Sequence, residues 1–223
     1  MIFMKTRIII ILLLAYCSVF VSAQTLRKNG FLFPDFRKGE ILFKNGGMNQ
    51  ALLNYNTIDQ QMFFVQDGKA LIIGQPDMIR SIMIDSLKFV PIKGDMFYQV
   101  IMTESSPIYV CRRSTLVSQG KNTAYGGKSG TTAITNVSGI YTSGMSTDLS
   151  VGNEMDAKAD DQYFIWRNDE YINVSTRKQI ERAFRKYKSD IEAYIQEHNP
   201  DLERDRDIVD LLKFCINNAE LVK

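Results

Sequence analysis

The chain has 223 residues, and its 27 basic and 25 acidic side chains leave a formal net charge of only +2. Binding to nucleic acid rests on a surplus of basic charge, so this balance argues against a nucleic-acid partner. The length suits one domain or two small ones.

Residues 1–23 are predicted to be a cleaved signal peptide. Lys5 and Arg7 form a short positive region, an apolar run follows over residues 8–20, and Val21-Ser22-Ala23 offers the small side chains that a signal peptidase reads. The run is shorter than the roughly 20 residues of a spanning helix, so we expect cleavage before Gln24 and no transmembrane segment afterwards. Cleavage leaves 27 − 2 = 25 basic residues against 25 acidic ones, and the mature chain is neutral.

Residues 24–113 are predicted to form a curved antiparallel β-meander. Short apolar runs alternate with turn formers at intervals of roughly 8–12 residues, a pattern typical of all-β structure. Phe31-Leu32-Phe33 is a candidate edge strand, whose pairing Pro34 limits. Several runs are apolar on both faces, so we expect parts of the sheet to be covered on both sides. The runs are residues 41–43, 51–53, 62–65, 71–73, 79–84, 89–90, 96–102 and 108–111.

Residues 114–160 change composition. Half of the chain's 14 glycines fall between residues 114 and 153, together with many serines and threonines. Such a stretch is typical of a loop, and its length exceeds what a compact domain usually accommodates. We therefore expect a mobile insertion.

Residues 161–223 are predicted to form a hairpin followed by a three-helix tail. The hairpin turns at Asn168-Asp169. Thr176 with Gln179, and Ser189 with Glu192, have the spacing of capping boxes, and Asn199-Pro200 has the signature of a third helix start. Helices this short are marginal alone, so we expect them to dock on the sheet. The third helix carries an apolar stripe of Ile208, Leu211, Leu212, Cys215 and Ile216.

The predicted fold class is therefore α+β, a curved, half-barrel-like antiparallel meander with a C-terminal three-helix tail. Two cysteines remain after cleavage, Cys111 and Cys215. In an oxidising compartment they would be able to pair, and the alternative is two buried thiols. The sequence leaves both possibilities open.

Candidate catalytic residues fail on their context. His198 is the sole histidine, so any histidine-dependent triad would have to use it. Its position near a helix C-terminus instead favours a simpler role, in which the side chain interacts favourably with the helix dipole. Ser143 lies in the predicted insertion rather than at a nucleophile elbow. We assign no catalytic residue.

Candidate metal and phosphate sites fail on their spacing. Asp201, Glu203, Asp205 and Asp207 are better interpreted as acids at the start of the last helix, because an EF-hand counted from Asp201 would need glycine and glutamate where Arg206 and Leu212 stand. Asp156, Asp160 and Asp161 have no ligand spacing, and Gly126-Gly127-Lys128-Ser129 lacks the first glycine of a phosphate loop. No metal or cofactor residue is assigned.

The first helix of the tail is markedly basic. The simplest interpretation is a solvated face, and the alternative is an electrostatic patch for anionic lipid or glycan. The residues concerned are Arg177, Lys178, Arg182, Arg185, Lys186 and Lys188.

A resemblance accompanies these patterns. It lies in Gly39-Glu40-Ile41, Leu53-Asn54-Tyr55-Asn56, Phe89-Val90, Ala124-Tyr125-Gly126, Tyr163-Phe164 and the basic-then-acidic tail. In these features the chain resembles a broad set of uncharacterised exported proteins of Bacteroidetes over most of its mature length. The resemblance implies export and carries over no activity or site residue.

The sequence favours an exported, non-enzymatic binding or scaffolding module of the bacterial cell envelope, located in the periplasm, outside the cell or at the cell surface. Its partner would be an envelope ligand or protein, and the concave face of the sheet is the expected ligand surface. One alternative is a hydrolase of envelope polymers that uses paired carboxylates. Another is a lipid carrier whose curved sheet encloses an open apolar cavity.

Overall fold

A computed structural model describes residues 26–28, 30–117 and 156–220. Within these ranges the strands are β1 (Leu26–Lys28), β2 (Arg37–Phe43), β3 (Met48–Asn56), β4 (Gln61–Gln66), β5 (Lys69–Ile72), β6 (Ile79–Ile84), β7 (Leu87–Lys93), β8 (Met96–Ile101), β9 (Ile108–Cys111), β10 (Ser114–Val117), β11 (Asp156–Ala159), β12 (Gln162–Arg167) and β13 (Glu170–Asn173). The helices are α1 (Arg177–Ala183), α2 (Lys188–His198) and α3 (Asp205–Glu220), with 3₁₀ turns at Pro76–Met78 and Arg185–Tyr187.

Ten strands form one open antiparallel sheet in the order β13-β12-β9-β8-β7-β6-β2-β3-β4-β5. A small second sheet has the order β1-β11-β10. Neighbours in the large sheet are mostly consecutive in the chain, as expected of a meander. The three helices follow at the C-terminus, so the predicted α+β class is confirmed.

The strands β8, β7, β6, β2, β3 and β4, with β5 at the edge, form what we call the rolled half. Strands β3 and β8 are separated by three others in the sheet, yet the Tyr55 hydroxyl of β3 donates to the Phe97 carbonyl of β8 at 2.8 Å. The Phe97 amide in turn donates to the Gln60 carbonyl at 2.9 Å. The sheet therefore rolls until one face is enclosed. Its interior is filled by fully buried side chains of Leu53, Tyr55, Met62, Ile82, Ile84, Phe89 and Phe97.

The strands β9, β12 and β13 form what we call the helix-covered half. The same face of the sheet continues here through Ile108, Val110 and Ile165, but the three helices cover it. All five residues of the predicted stripe on α3, from Ile208 to Ile216, are buried in this core. The prediction of a docked tail is confirmed.

The helix starts agree with the sequence in one case of three. Thr176 and Gln179 form the predicted capping box of α1. Helix α2 begins at Lys188, after a Tyr187 cap that makes no side-chain hydrogen bond, so the box at Ser189 was wrong. The last turn of α1 runs through a 3₁₀ segment directly into α2, which leaves no room for a separate cap.

The start of α3 at Asn199-Pro200 was also wrong. Asn199 adopts a left-handed conformation, with φ of 43°, and its amide bonds to the Ile195 carbonyl at 2.9 Å. It therefore ends α2, because asparagine suits a helix C-terminus in this conformation as well as a helix start. Helix α3 begins later, at Asp205.

The hairpin prediction is confirmed. Asn168 and Asp169, both with positive φ (53° and 60°), connect β12 and β13 in register with Arg167 opposite Glu170. Two consecutive positive-φ residues match the right-handed twist of the flanking strands.

The predicted edge strand at Phe31-Leu32-Phe33 reduces to one bridge between Phe31 and Asn56. The buried Asn54 side chain replaces further pairing, since its Oδ1 accepts from the Phe33 amide at 3.2 Å and its Nδ2 donates to the Phe33 carbonyl at 2.9 Å. A side-chain amide can thus satisfy a backbone that strand pairing leaves open.

The two ends of the predicted insertion are strands β10 and β11, which pair with each other. Residues 118–155 of it, and the predicted signal peptide, lie outside the described residues. Cys111 and Cys215 are both free and buried. Of the helices in the described ranges, none combines the length and the apolar character needed to cross a membrane.

Candidate functional site

Aromatic side chains line the face of the sheet opposite the helices. Alternate residues of a strand point to opposite faces. In β12, for example, Tyr163 and Ile165 enter the helix-covered core, so Phe164 and Trp166 point away from it. We call the resulting set the aromatic face: Tyr98, Tyr109, Phe164, Trp166 and Tyr171.

Strand register brings these rings together. Phe164 lies opposite Tyr109, and Trp166 lies opposite Tyr171. Residues that face each other across strands have Cβ atoms about 5 Å apart, close enough for their rings to touch. The five side chains therefore come from four strands but occupy one continuous area.

The ring contacts are extensive. Tyr98 stacks on Phe164 with centroids 5.4 Å apart, and Trp166 meets Tyr171 at 4.6 Å. Tyr171 also contacts Tyr109 edge-on at 5.0 Å and Tyr98 at 6.1 Å. Offset and edge-on arrangements are the favourable ones for aromatic pairs. Each ring thus limits the freedom of its neighbours before any ligand arrives.

The aromatic face is open to solvent. Trp166 is 46% exposed, and the other four rings are partly exposed. Large exposed apolar side chains gathered in one place are uncommon on a protein surface and mark interaction sites. This patch therefore differs from scattered exposed residues such as Met78.

The tyrosine hydroxyls of the aromatic face stay protonated. Burial, followed by the neighbouring Cys111 thiol, raises the pKa of Tyr98 to about 12. Burial also raises the pKa of Tyr109 and of Tyr171. The three groups act as neutral hydrogen-bond donors and acceptors at physiological pH. The aromatic face thus offers flat ring surface together with uncharged hydroxyls.

An ionic cluster centred on the buried Arg112 side chain lies on the other side of the sheet, at the end of β9, and includes the half-exposed Asp205. The Arg112 guanidinium donates from Nε to Gln99 Oε1 at 2.7 Å and from Nη1 to Asp161 Oδ2 at 2.7 Å. It also grips Asp205 at the start of α3, with Nη1 to Oδ1 at 2.8 Å and Nη2 to Oδ2 at 3.1 Å. The Tyr163 hydroxyl donates to Asp205 Oδ1 at 2.5 Å. The cluster therefore joins three strands to the last helix.

The charges of this cluster stabilise one another and keep Arg112 and Tyr163 protonated. Burial alone would lower the pKa of Arg112, but hydrogen bonds and charge attraction from Asp205 and Asp161 outweigh it and raise that pKa. Burial, then the charge of Asp205, raises the pKa of the Tyr163 hydroxyl far above its ordinary value. Arginine stays charged under these conditions, and a two-pronged arginine–carboxylate contact fixes geometry strongly. The cluster holds α3 against the sheet.

The fold distributes the acidic residues weighed in the sequence among different contacts. Asp205 and Asp161 meet at Arg112, whereas Asp160 lies 3.7 Å from Arg113. Asp207 accepts from the Asp201 amide at 3.0 Å. Asp205 and Asp207 lie in the first turn of α3, as expected, but Asp201 and Glu203 lie before the helix begins, so their assignment to its first turn was wrong. No group of three metal-ligating side chains is found in the described ranges.

His198 occupies the last turn of α2, as expected, and is exposed. Its ring stacks on Tyr194 with centroids 4.1 Å apart, and its Nδ1 lies 3.1 Å from the Tyr194 carbonyl oxygen. These are local helix contacts. Ser143 and Gly126-Gly127-Lys128-Ser129 lie outside the described residues.

The concave face, which the sequence favoured as the ligand surface, is filled. Side chains occupy it in the rolled half, and helices cover it in the other half. Sequence analysis missed the aromatic face, although a signal exists. In Tyr163-Phe164-Ile165-Trp166, the first and third residues enter the core, and the second and fourth place aromatic rings on the opposite face. Pairing partners were needed to see that the outward rings converge.

Comparison of the chain with protein-family models, with curated proteins and with solved structures finds no match.

Proposed function

We propose that the protein is an exported, non-enzymatic binding module of the bacterial cell envelope, and that the aromatic face is its ligand surface. The observation that carries this proposal is the convergence of five partly exposed rings on four adjacent strands, opposite a helix-packed core. Export rests on the composition of residues 1–23.

The ligand class that this surface suits best is carbohydrate. A sugar ring has flat C–H faces that pack on aromatic rings, and its hydroxyls match the neutral hydroxyls of Tyr98, Tyr109 and Tyr171. Aromatic side chains supply a large contact area together with a polar tip, and strands hold them in place, so little freedom is lost on binding. Envelope polysaccharide is an abundant ligand of this chemistry in the proposed location.

The contacts favour this function over the two alternatives. A lipid carrier needs an open apolar interior, whereas Tyr55, Phe89 and Phe97 fill the interior of the rolled half. A carboxylate hydrolase needs two acids about 5–10 Å apart across a cleft. Asp161 and Asp205, which meet at Arg112, both accept hydrogen bonds from its guanidinium instead.

Calorimetric titration with soluble oligosaccharides from bacterial envelope polysaccharide tests this proposal. Trp166→Ala should weaken binding by about 10- to 30-fold, because exposed aromatic anchors contribute about 2 kcal/mol at interfaces. Leu52→Ala is the matched control, since Leu52 is a similarly exposed apolar residue on a strand of the rolled half, and it should bind like wild type. Absence of binding by the wild type, or equal loss in both variants, would overturn the proposal.

A further inference from the structure

The segment from Thr176 to Lys188 concentrates positive charge. It holds six basic residues and one acidic residue, Glu181, which gives 6 − 1 = +5. The rest of residues 24–223 then carries 25 − 6 = 19 basic and 25 − 1 = 24 acidic residues, or −5. A chain that is neutral as a whole is therefore strongly polarised, and we call residues 176–188 the basic segment.

The basic side chains of this segment point to solvent. All six are exposed, whereas Ile180 and Phe184 of the same segment are buried in the core under the helices. Residues three or four apart share a helix face, so Lys178 and Arg182 lie together on the outer side. The apolar positions turn inward, and the outer surface of the segment is predominantly cationic.

Most of this charge is not neutralised by the protein. Arg177 pairs with Glu181 at 2.7 Å, and Lys188 lies 3.7 Å from Glu192. The remaining four, Lys178, Arg182, Arg185 and Lys186, have no carboxylate within salt-bridge distance in the described part of the chain. Four adjacent cations are available to an external anion.

The segment is held rigidly on the sheet. The capping box of Thr176 and Gln179 fixes its start. Near its middle, Arg167 of β12 donates from Nη1 to the Ala183 carbonyl at 2.7 Å, and its guanidinium lies 5.0 Å from the centre of the Phe184 ring. The cations therefore project from a fixed backbone.

We propose that the basic segment docks the protein on an anionic lipid surface. Residues 176–188 expose no large apolar side chain, so their attraction to a bilayer would rest on charge rather than on insertion of side chains. A membrane presents dense, mobile phosphate charges that adapt to long, flexible side chains without shape matching. The net negative charge elsewhere is repelled by the same surface, which orients the basic segment toward it.

An electrostatic dock of this kind has a defined signature. Each basic residue near an anionic membrane strengthens binding about fivefold, and salt screens the attraction. Binding should therefore be reversible and lost at high salt. This inference does not depend on the aromatic face, which is built from other residues.

Co-sedimentation of the full chain with vesicles tests the dock. Wild type should bind vesicles of phosphatidylglycerol and phosphatidylethanolamine at low salt, and it should not bind phosphatidylcholine vesicles. The variant carrying Lys178→Gln, Arg182→Gln, Arg185→Gln and Lys186→Gln should bind about 100- to 1,000-fold more weakly.

The control removes four other exposed lysines, by Lys38→Gln, Lys69→Gln, Lys88→Gln and Lys93→Gln. It has the same change in net charge and should keep most of the binding. Equal loss in both variants would mean that only net charge matters and would overturn the proposal. Failure of the wild type to bind the anionic vesicles at low salt would equally overturn it, and binding to a soluble anionic polysaccharide instead would assign the basic segment to that ligand.

Discussion

The two halves of the large sheet bury the same apolar face in different ways. In the rolled half, the sheet curls until Tyr55 and Phe97 meet, and its own side chains fill the enclosed space. In the helix-covered half, the sheet does not curl over the same face, and three helices cover it. Strand curvature thus replaces a second layer in one half, and the tail supplies that layer in the other.

The difference explains where the candidate site lies. Side chains inside the rolled half are buried by packing against one another, and the helices bury the corresponding face of the other half. The opposite face at β8, β9, β12 and β13 is then the place where five aromatic rings remain accessible. A rigid, fully packed support on one side is what a binding surface on the other side requires.

The largest expected effect comes from breaking the clamp between sheet and tail. Arg112→Met removes the cation that lies 2.7 Å from Asp161, whose side chain is only 13% exposed. We expect the free energy of unfolding to fall by about 3–5 kcal/mol in urea denaturation. Arg113→Met is the control, because its pair with Asp160 is solvent-exposed and should contribute at most about 1 kcal/mol. Equal effects would show that Arg112 does not hold the helical tail against the sheet.

Uncovering the helix-covered half directly should cost slightly less. Leu212→Ala deletes buried methyl groups from the fully buried stripe of α3, and we expect a loss of about 2–5 kcal/mol. His198→Ala, on the exposed end of α2, should cost less than about 1 kcal/mol. Thermal melting distinguishes the two, and a Leu212→Ala variant that melts like wild type would contradict the docked tail.

The rolled half is tested at Gly39, where two strands approach closely. A Cβ at this position would lie 2.5 Å from the Met83 carbonyl oxygen and 2.7 Å from Leu53 Cδ1. Gly39→Ala should therefore lower the free energy of unfolding by about 1–3 kcal/mol. At Gly74 nothing lies within 4 Å of the added atom, so Gly74→Ala should be nearly neutral. A neutral Gly39→Ala would mean that the roll is looser than described.

The smallest expected effect is a loss of stability at alkaline pH. Burial raises the pKa of the Cys111 thiol to about 11 and that of Cys215 to about 12, against 9.0 for a free thiol. Above pH 9 the unfolded chain releases these protons and the folded chain does not. Stability is therefore fully present below pH 9 and falls as the pH rises toward 11–12, by about 1 kcal/mol per thiol near pH 10.

Urea denaturation at pH 8 and pH 10 measures this loss. The variant Cys111→Ala with Cys215→Ala starts from a lower stability but should decline less steeply between the two pH values. A decline as steep as that of wild type would assign the alkaline loss to other groups.

The sequence predicted the elements better than their ends. Periodicity located the meander, the hairpin at Asn168-Asp169 and the stripe of α3, because each depends on local alternation or helical spacing. The start of α3 was misplaced because Asn199-Pro200 fits both a helix end and a helix start, and only backbone conformation decides between them.

The candidate sites depended on long-range contacts that periodicity does not contain. Arg112 meets Asp205 across 93 positions of sequence, and Tyr55 meets Phe97 across 42. Strand β1 pairs with β11, more than a hundred residues away. The basic segment, by contrast, was legible in sequence, since its charges are neighbours in the chain.

The protein's sole tryptophan, Trp166, makes the central claim directly measurable. Because this residue lies in the aromatic face and is 46% exposed, its fluorescence reports on that surface alone. Titration with envelope oligosaccharides should shift its emission to shorter wavelength and protect it from acrylamide quenching as the ligand excludes water. Saturable binding in calorimetry with unchanged Trp166 emission and quenching would place the ligand elsewhere and contradict the assignment of the aromatic face.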